Sequence, residues 1–356
     1  MPALIFDQPP KSICILRLSA IGDVTHVLPI IATLKKQWPE TSITWIIGKL
    51  EYQLVKSLSD IDFIVFDKRN GLGEYRKLHQ SLKGSNFDVL LMMQVSLRAN
   101  FLSLLIRTPI KIGYDKSRAR DFHSLFINQN IEGPSRIHVL DTFFQFLKKL
   151  GINERTMDWL LTVDEKDREF AYQIISERPT VIINPCSSAR KNNWRNWPVN
   201  SYVEVVDYLS LKNIQVILSG GPSTQEISYA NDIVQICRQP PINLVGKTTL
   251  SQLLALMQQA QCLIAPDTGP AHMGTVAGIP VIGLYASSNP LRTGPYNSQD
   301  CSVNAYPEAL EKYNQQNVEQ ARWGARVRDQ DVMKSISIKN VINKLNQCLG
   351  LSQDMQ

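Results

Sequence analysis

Continuous apolar runs recur along the whole chain, and they constrain its fold more than any other feature. In the first half they fall at 13–18, 43–47, 63–66, 89–93 and 110–113. In the second they fall at 181–184, 216–219, 244–246, 263–265 and 281–285. A strand with one wet face alternates apolar and polar residues, whereas an unbroken run is what a strand covered on both faces requires. Amphipathic stretches such as 202–211 and 250–260 lie between the runs. Repeated strand–helix order of this kind closes into parallel sheets flanked by helices. The predicted fold class is α/β.

At 356 residues the chain exceeds one ordinary core and fits two domains. The predicted break is the charged stretch 164–178, which ends at Pro179. Two Rossmann-like halves, 1–170 and 179–330, are expected to face each other across a cleft. The segment 331–356 ends the chain with one more amphipathic helix, at 338–349. No run approaches the ~18 apolar residues of a membrane span. The N-terminus MPALIFDQPPKS lacks the basic and apolar parts of a secretion signal. The six cysteines are scattered with no CxxC pair, which predicts a reduced, cytoplasmic protein without disulfides or a zinc site.

Chemistry concentrates where runs end. In APDTGPAH, a predicted strand meets Asp267-Thr268-Gly269-Pro270 and a short helix carrying His272 in its first turn. Asp267 or Thr268 can cap that helix, Pro270 suits its first turn, and Gly269 admits close backbone approach. Unpaired N–H groups and the helix dipole then make an anion site at the carboxyl end of a parallel strand. NPCSSARKNNWRNWP follows another strand with Ser187, Ser188, Arg190, Lys191 and Arg195, donors and cations suited to a pyrophosphate. Trp194 and Trp197 in the same stretch read as packing residues. In SGGPSTQE, Glu226 fits either a ribose ligand or a carboxylate complementing the helix dipole. In LRLSAIGDVTHVLP, Asp23 sits after the first strand and fits either an N-cap or a general base. One Gly there is not the GxGxxG of a dinucleotide site.

Two further patterns fail. Gly246-Lys247-Thr248 resembles the tail of a P-loop but has Pro241 where the motif needs Gly. Asp60-Ile61-Asp62 has the DxD form of metal-dependent glycosyltransferases but precedes a strand rather than following one. The net charge is +6, and Arg98, Arg107, Lys111, Lys116, Arg118 and Arg120 cluster with little acidic opposition. Such a cluster is either a solvated face or a surface for phosphate-bearing or anionic membrane partners.

SAIGDVTHVLP, SSARKNNWRNWP, GGPSTQE and APDTGPAH occur in the order and spacing of the ADP-heptose:lipopolysaccharide heptosyltransferases, glycosyltransferase family 9, and the chain resembles that family over nearly its whole length. The resemblance implies the GT-B architecture, with an acceptor-binding first domain and a donor-binding second, the C-terminal helix of 331–356 packing back on the first. It implies an inverting, metal-independent transfer of L-glycero-D-manno-heptose from ADP-heptose to the Kdo-lipid A inner core. No cofactor, metal or nucleic acid is implied, and the place of work is the cytoplasmic surface of the inner membrane. Asp23 resembles the catalytic base. Ser187, Ser188, Arg195, Glu226, Asp267, Thr268, Gly269 and His272 resemble the donor site, Arg195 standing where other members have Lys. Arg98, Arg118 and Arg120 fall in or near a segment similar to the family's acceptor-binding one. Asp-Thr-Gly and Ser-Ala-Ile-Gly-Asp look more like heptosyltransferase I than II. Alternatives are heptosyltransferase II or another member with a different sugar or acceptor, a nucleotide-sugar epimerase, and a non-catalytic nucleotide-binding protein.

Overall fold

A computed structural model of the chain describes residues 8–159, 161–187 and 193–351. It divides into two compact units, Met1–Thr162 and Val163–Gln356. The first holds β1 (Ser12–Leu16), β2 (Ser42–Gly48), β3 (Asp62–Phe66), β4 (Val89–Met92), β5 (Ile110–Gly113) and β6 (Gln129–Asn130). They form one sheet in the order β3-β2-β1-β4-β5-β6, with every pair parallel. Ile13, Cys14, Ile15 and Leu16 of β1 are fully buried, as a central strand covered on both faces must be.

The second unit repeats this plan. Its strands are β7 (Thr180–Ile183), β8 (Gln215–Leu218), β9 (Ile242–Asn243), β10 (Cys262–Pro266), β11 (Val281–Tyr285) and β12 (Val303–Asn304). Their order, β12-β11-β10-β7-β8-β9, is the first sheet's order with its own strands renumbered, again all parallel. The α/β class is therefore as expected, with two Rossmann-type sheets of the kind that make up GT-B enzymes.

Two details differ from the sequence reading. The run at 244–246 is not a strand. The ladder ends with β9; Leu244 N and Gly246 N still donate to Leu218 O and Gly220 O at 2.9 and 3.0 Å, but Gly246 turns with φ +74, a left-handed conformation that favours Gly. The charged stretch after 163 is a helix, Glu165–Ile174, and belongs to the second unit: it packs on the helix Leu250–Gln259 and buries Ala171. The terminal helix Ile338–Leu349 lays its apolar face on its own unit, against the helix Val199–Leu211 and strands β11 and β12. Val341 and Leu345 are buried in that core, and Tyr208 Oη donates to Asn346 Oδ1 at 2.7 Å. The apolar stripe of this helix is thus covered by the core of the second unit. Trp197 is a packing residue as expected, fully buried with Nε1 donating to Ile336 O at 3.1 Å.

Candidate functional site

In each sheet the crossovers leave in opposite directions from two adjacent strands, β1 and β4 in the first, β7 and β10 in the second. The crevice at the carboxyl ends of such a pair is where open α/β sheets hold ligands.

In the second unit β10 runs out at Pro266 and the helix Gly269–Ala277 begins after two intervening residues, with Thr268 as its extended N-cap. The helix lies unusually close to the sheet: a Cβ on Gly274 would come within 2.5 Å of Val281 Cγ2. Thr268 makes no side-chain cap bond, so the first N–H groups of the helix and the Thr268 hydroxyl both remain available to a ligand. Asn184 Oδ1, Ser219 Oγ and Thr268 Oγ1 are buried atoms without a hydrogen-bond partner among the described residues. They follow β7, β8 and β10 directly, so all three line the same carboxyl edge. Buried polar atoms are nearly always paired, and a row of unpaired ones marks where a polar ligand is received. His272 is buried in the first turn of this helix.

Asp267 does not face that row alone. Ser288 Oγ donates to its Oδ2 at 2.9 Å, Arg195 Nη1 lies 3.5 Å from the same oxygen, and Arg326 Nη2 lies 4.0 Å away. Arg195 Nη1 also donates to the Asp267 carbonyl at 2.7 Å. The carboxylate therefore gathers two guanidinium groups beside the helix start, and the net charge left over is positive. Ser187 behaves differently from its expected role. Its hydroxyl donates to Asn193 Oδ1 at 2.7 Å and its N–H to Asn196 Oδ1 at 2.9 Å, so it pins its own loop. Ser188, Arg190 and Lys191 lie outside the described residues. Burial, with the Glu226 charge adding to it, pushes the Cys186 thiol up to about 12, which keeps this neighbour protonated and no nucleophile.

Glu226 sits in the first turn of the helix Thr224–Ile236, whose N-cap Ser223 accepts from its N–H at 3.2 Å and donates to its Oε1 at 3.0 Å. Its Oε2 accepts from Gly221 N. A Cβ on Gly221 would lie 3.1 Å from both carboxylate oxygens, so the Gly220-Gly221 turn is what lets the backbone come so near. The capping role is occupied, and each carboxylate oxygen already accepts one bond from the chain itself.

In the first unit Asp23 is the third residue of the helix Ile21–Gln37 and its Oδ2 accepts from Ala20 N at 3.3 Å. The same oxygen is ion-paired with Arg17, which was not singled out in the sequence. Arg17 is buried, bonded through Nη1 to the Met93 carbonyl at the end of β4, and its guanidinium lies 5.4 Å from the centre of the Phe143 ring. Leu18 N donates to Gln94 Oε1 at 2.7 Å, tying the same two strand ends together. Asp23 is thereby held at the β1–β4 crevice by a clamped cation rather than left as a free surface acid. Asp60 and Asp62 lie elsewhere, Asp62 opening β3 at its amino end. Among the described residues no three His, Cys, Asp or Glu side chains come together as metal ligands.

The basic segment resolves into two kinds of residue. Arg118 donates from Nε to Asp115 Oδ2 at 2.7 Å, from Nη1 to Pro134 O at 3.3 Å, and also meets Gln145. Arg98, Arg107, Lys116 and Arg120 are exposed and make no ion pair among the described residues. Arg118 is thus a brace inside the first unit. Arg118→Ala is expected to lower stability by ~2–4 kcal/mol, since it strands Asp115 and Gln145. Denaturant midpoints of the two proteins check this, and an unchanged midpoint would return Arg118 to the pool of free cations.

The model of glycosyltransferase family 9 (heptosyltransferase) matches residues 75–322. The lipopolysaccharide core heptosyltransferase OpsX of Haemophilus influenzae is 38% identical over 98% of this chain and 99% of its own length. The chain belongs to glycosyltransferase family 9. Two solved structures carry the same fold. One is a family 9 glycosyl transferase from Veillonella parvula, at 22% identity and TM-score 0.77, covering 96% of this chain and 98% of that one. The other is Escherichia coli heptosyltransferase WaaC with ADP, at 17% identity and TM-score 0.72, covering 95% and 99%.

In this family 9 glycosyltransferase the fold brings to the two crevices three residues that no motif in the sequence marks. Arg17 hides inside the first apolar run, and Ser288 looks like an ordinary loop serine. Arg326 belongs to a segment, RWGARVR, without a recognisable role. That segment returns to the end of β11, where Val327 N donates to Ser287 O at 2.9 Å and Ser287 Oγ to Val327 O at 2.8 Å. The three cations in seven residues of RWGARVR are the one signal that points to it.

Proposed function

We propose that this family 9 glycosyltransferase moves L-glycero-D-manno-heptose from ADP-heptose to the Kdo-lipid A inner core, inverting the anomeric carbon and using no metal. The observation that carries the donor half is the row Asn184, Ser219 and Thr268 beside the Arg195–Asp267–Arg326 cluster. A diphosphate suits unpaired hydroxyls and helix N–H groups flanked by two guanidiniums. Asp267 orients those cations, Gly269 and His272 border the phosphate, and Glu226 offers its remaining lone pairs to the ribose. The second unit is accordingly the donor domain and the first the acceptor domain.

The acceptor hydroxyl oxygen forms the new bond to the anomeric carbon as that carbon's bond to phosphate breaks. The electron pair leaves with ADP, and the hydroxyl proton passes to the Asp23 carboxylate. Developing negative charge on the leaving diphosphate is met by the helix start and by Arg195 and Arg326. Arg98 and Arg120 are the cations proposed to meet the carboxylates and phosphates of the acceptor, which is lipid-anchored and brings the enzyme to the inner face of the inner membrane.

Incubation with ADP-heptose and Kdo-lipid A should add one heptose to the lipid, read by mass, and should still do so in excess chelator. Loss of all activity on chelation, restored by Mg²⁺ or Mn²⁺, would bring a metal into the mechanism. Consumption of ADP-heptose without any acceptor would favour an epimerase or hydrolase instead.

A further inference from the structure

The first unit carries an apolar surface that its own core does not use. In the helix Leu97–Ser103, Ala99, Asn100, Leu102 and Ser103 turn inward and are buried. Leu97, Phe101 and the following Leu104 recur at helical spacing on another face and are 48–61% exposed. A second limb follows β5. Asp121 and Phe122 both take the left-handed conformation, at φ 55 and 58, which side-chain-bearing residues rarely adopt. The result is to leave Phe122 74% and Leu125 80% exposed.

The two limbs are fastened to each other. Asn100 Nδ2 donates to Asp121 O at 2.7 Å, Asn100 Oδ1 lies 2.9 Å from His123 Nδ1, and the Phe101 and Phe126 rings meet edge to face at 5.8 Å. His123 is fully buried under them. Large apolar side chains are thus held outward by a rigid polar hinge rather than by a floppy loop. Arg98, Arg107, Lys116 and Arg120 lie in the same two limbs and in the chain that joins them, all exposed. Of the two acids in this stretch, Asp115 is taken up by Arg118, which leaves only Asp121 to offset them.

We propose that Leu97, Phe101, Leu104, Phe122 and Leu125 form a wedge that enters the headgroup region of an anionic lipid bilayer, with Arg107 and Lys116 among its rim cations. Apolar residues that insert shallowly beside cations that pair with anionic headgroups are the two components of interfacial binding. An apolar patch without cations would fit a protein partner equally well; the charge on this one selects lipid. No helix among the described residues is long and apolar enough to cross a membrane, so the contact is interfacial. The inference deepens the acceptor reading above, since it supplies a surface for reaching a lipid-anchored acceptor, yet its test needs no acceptor.

The full-length protein is floated with vesicles of phosphatidylethanolamine containing about 30 mol% phosphatidylglycerol, and with phosphatidylcholine vesicles. The wild type should float with the first and not the second, and about 0.5 M salt should weaken the association. Phe101→Ser/Phe122→Ser/Leu125→Ser should lower vesicle affinity by about tenfold or more, and Arg107→Gln/Lys116→Gln by about fivefold or more. Both variants should keep wild-type ADP affinity, and a wild-type denaturant midpoint for the first unit reports that they are folded. A wild type that ignores anionic vesicles, or a triple variant that binds them normally, overturns the proposal. So does a wild-type dimer that the triple variant dissociates without any vesicle binding, which would assign the patch to a second copy of the chain.

Discussion

Asp23→Asn is expected to lower turnover by ~10²-fold or more while leaving ADP affinity within about threefold, the usual signature of a lost general base. The substitution keeps the size of the side chain and its ability to accept from Ala20 N, but removes the proton acceptor proposed for the reaction. It also removes the partner of a buried arginine. Arg17 keeps its bond to the Met93 carbonyl and its place against Phe143, so its geometry should survive even as its charge goes uncompensated. Steady-state kinetics with each substrate varied in turn, alongside calorimetry with ADP, separates the two effects: the loss should lie in kcat with KM for the donor nearly unchanged. Normal turnover in a folded Asn variant would remove Asp23 from the chemistry.

Asp267→Ala should be costly in another way. One carboxylate there holds Ser288, Arg195 and Arg326 together, and its side chain is almost wholly shielded. The cost should be ~2–3 kcal/mol, borne mainly by the shielded Arg195, because the half-exposed Arg326 side chain is screened by solvent. Donor affinity should fall as well, by ~10-fold or more, since the two guanidiniums lose the geometry in which they would meet a diphosphate. Asp267→Asn keeps the acceptor for Ser288 and should recover part of the stability but little of the affinity. Chemical denaturation and ADP titration on both variants check this. Stability and affinity both at wild-type level in Asp267→Ala would mean that the cluster holds nothing.

The strands were readable wherever they are buried on both faces, because a run such as Ile13–Leu16 has no solvent side to break it. Of the four edge strands only β3 was: Gln129–Asn130, Ile242–Asn243 and Val303–Asn304 pair over two residues each, too few for any periodicity. The helix Glu165–Ile174 marked a boundary by its charge, but charge says nothing about which core receives Ala171. The site loops were legible because the parallel strands β1, β7 and β10 deliver them to one edge of each sheet. What escaped was pairing at a distance. Arg17 and Asp23 meet only because the chain doubles back after β1, and Arg326 reaches Asp267 only because a late segment folds onto β11. The bracing role of Arg118 escaped for the opposite reason. It stands among like charges, but Asp115 one turn away and Gln145 from a remote helix absorb it.

The repetition of one strand order in both sheets has an evolutionary meaning. Each half owns a complete sheet and core, and its ligand-facing loops leave from strand ends, where insertions break no ladder bond. Selection can therefore retune what one half recognises while the other stays under its own constraints. Under the donor and acceptor roles proposed above, a lineage built this way could hold one activated-sugar pocket fixed and explore new recipients through the first half alone, one loop at a time.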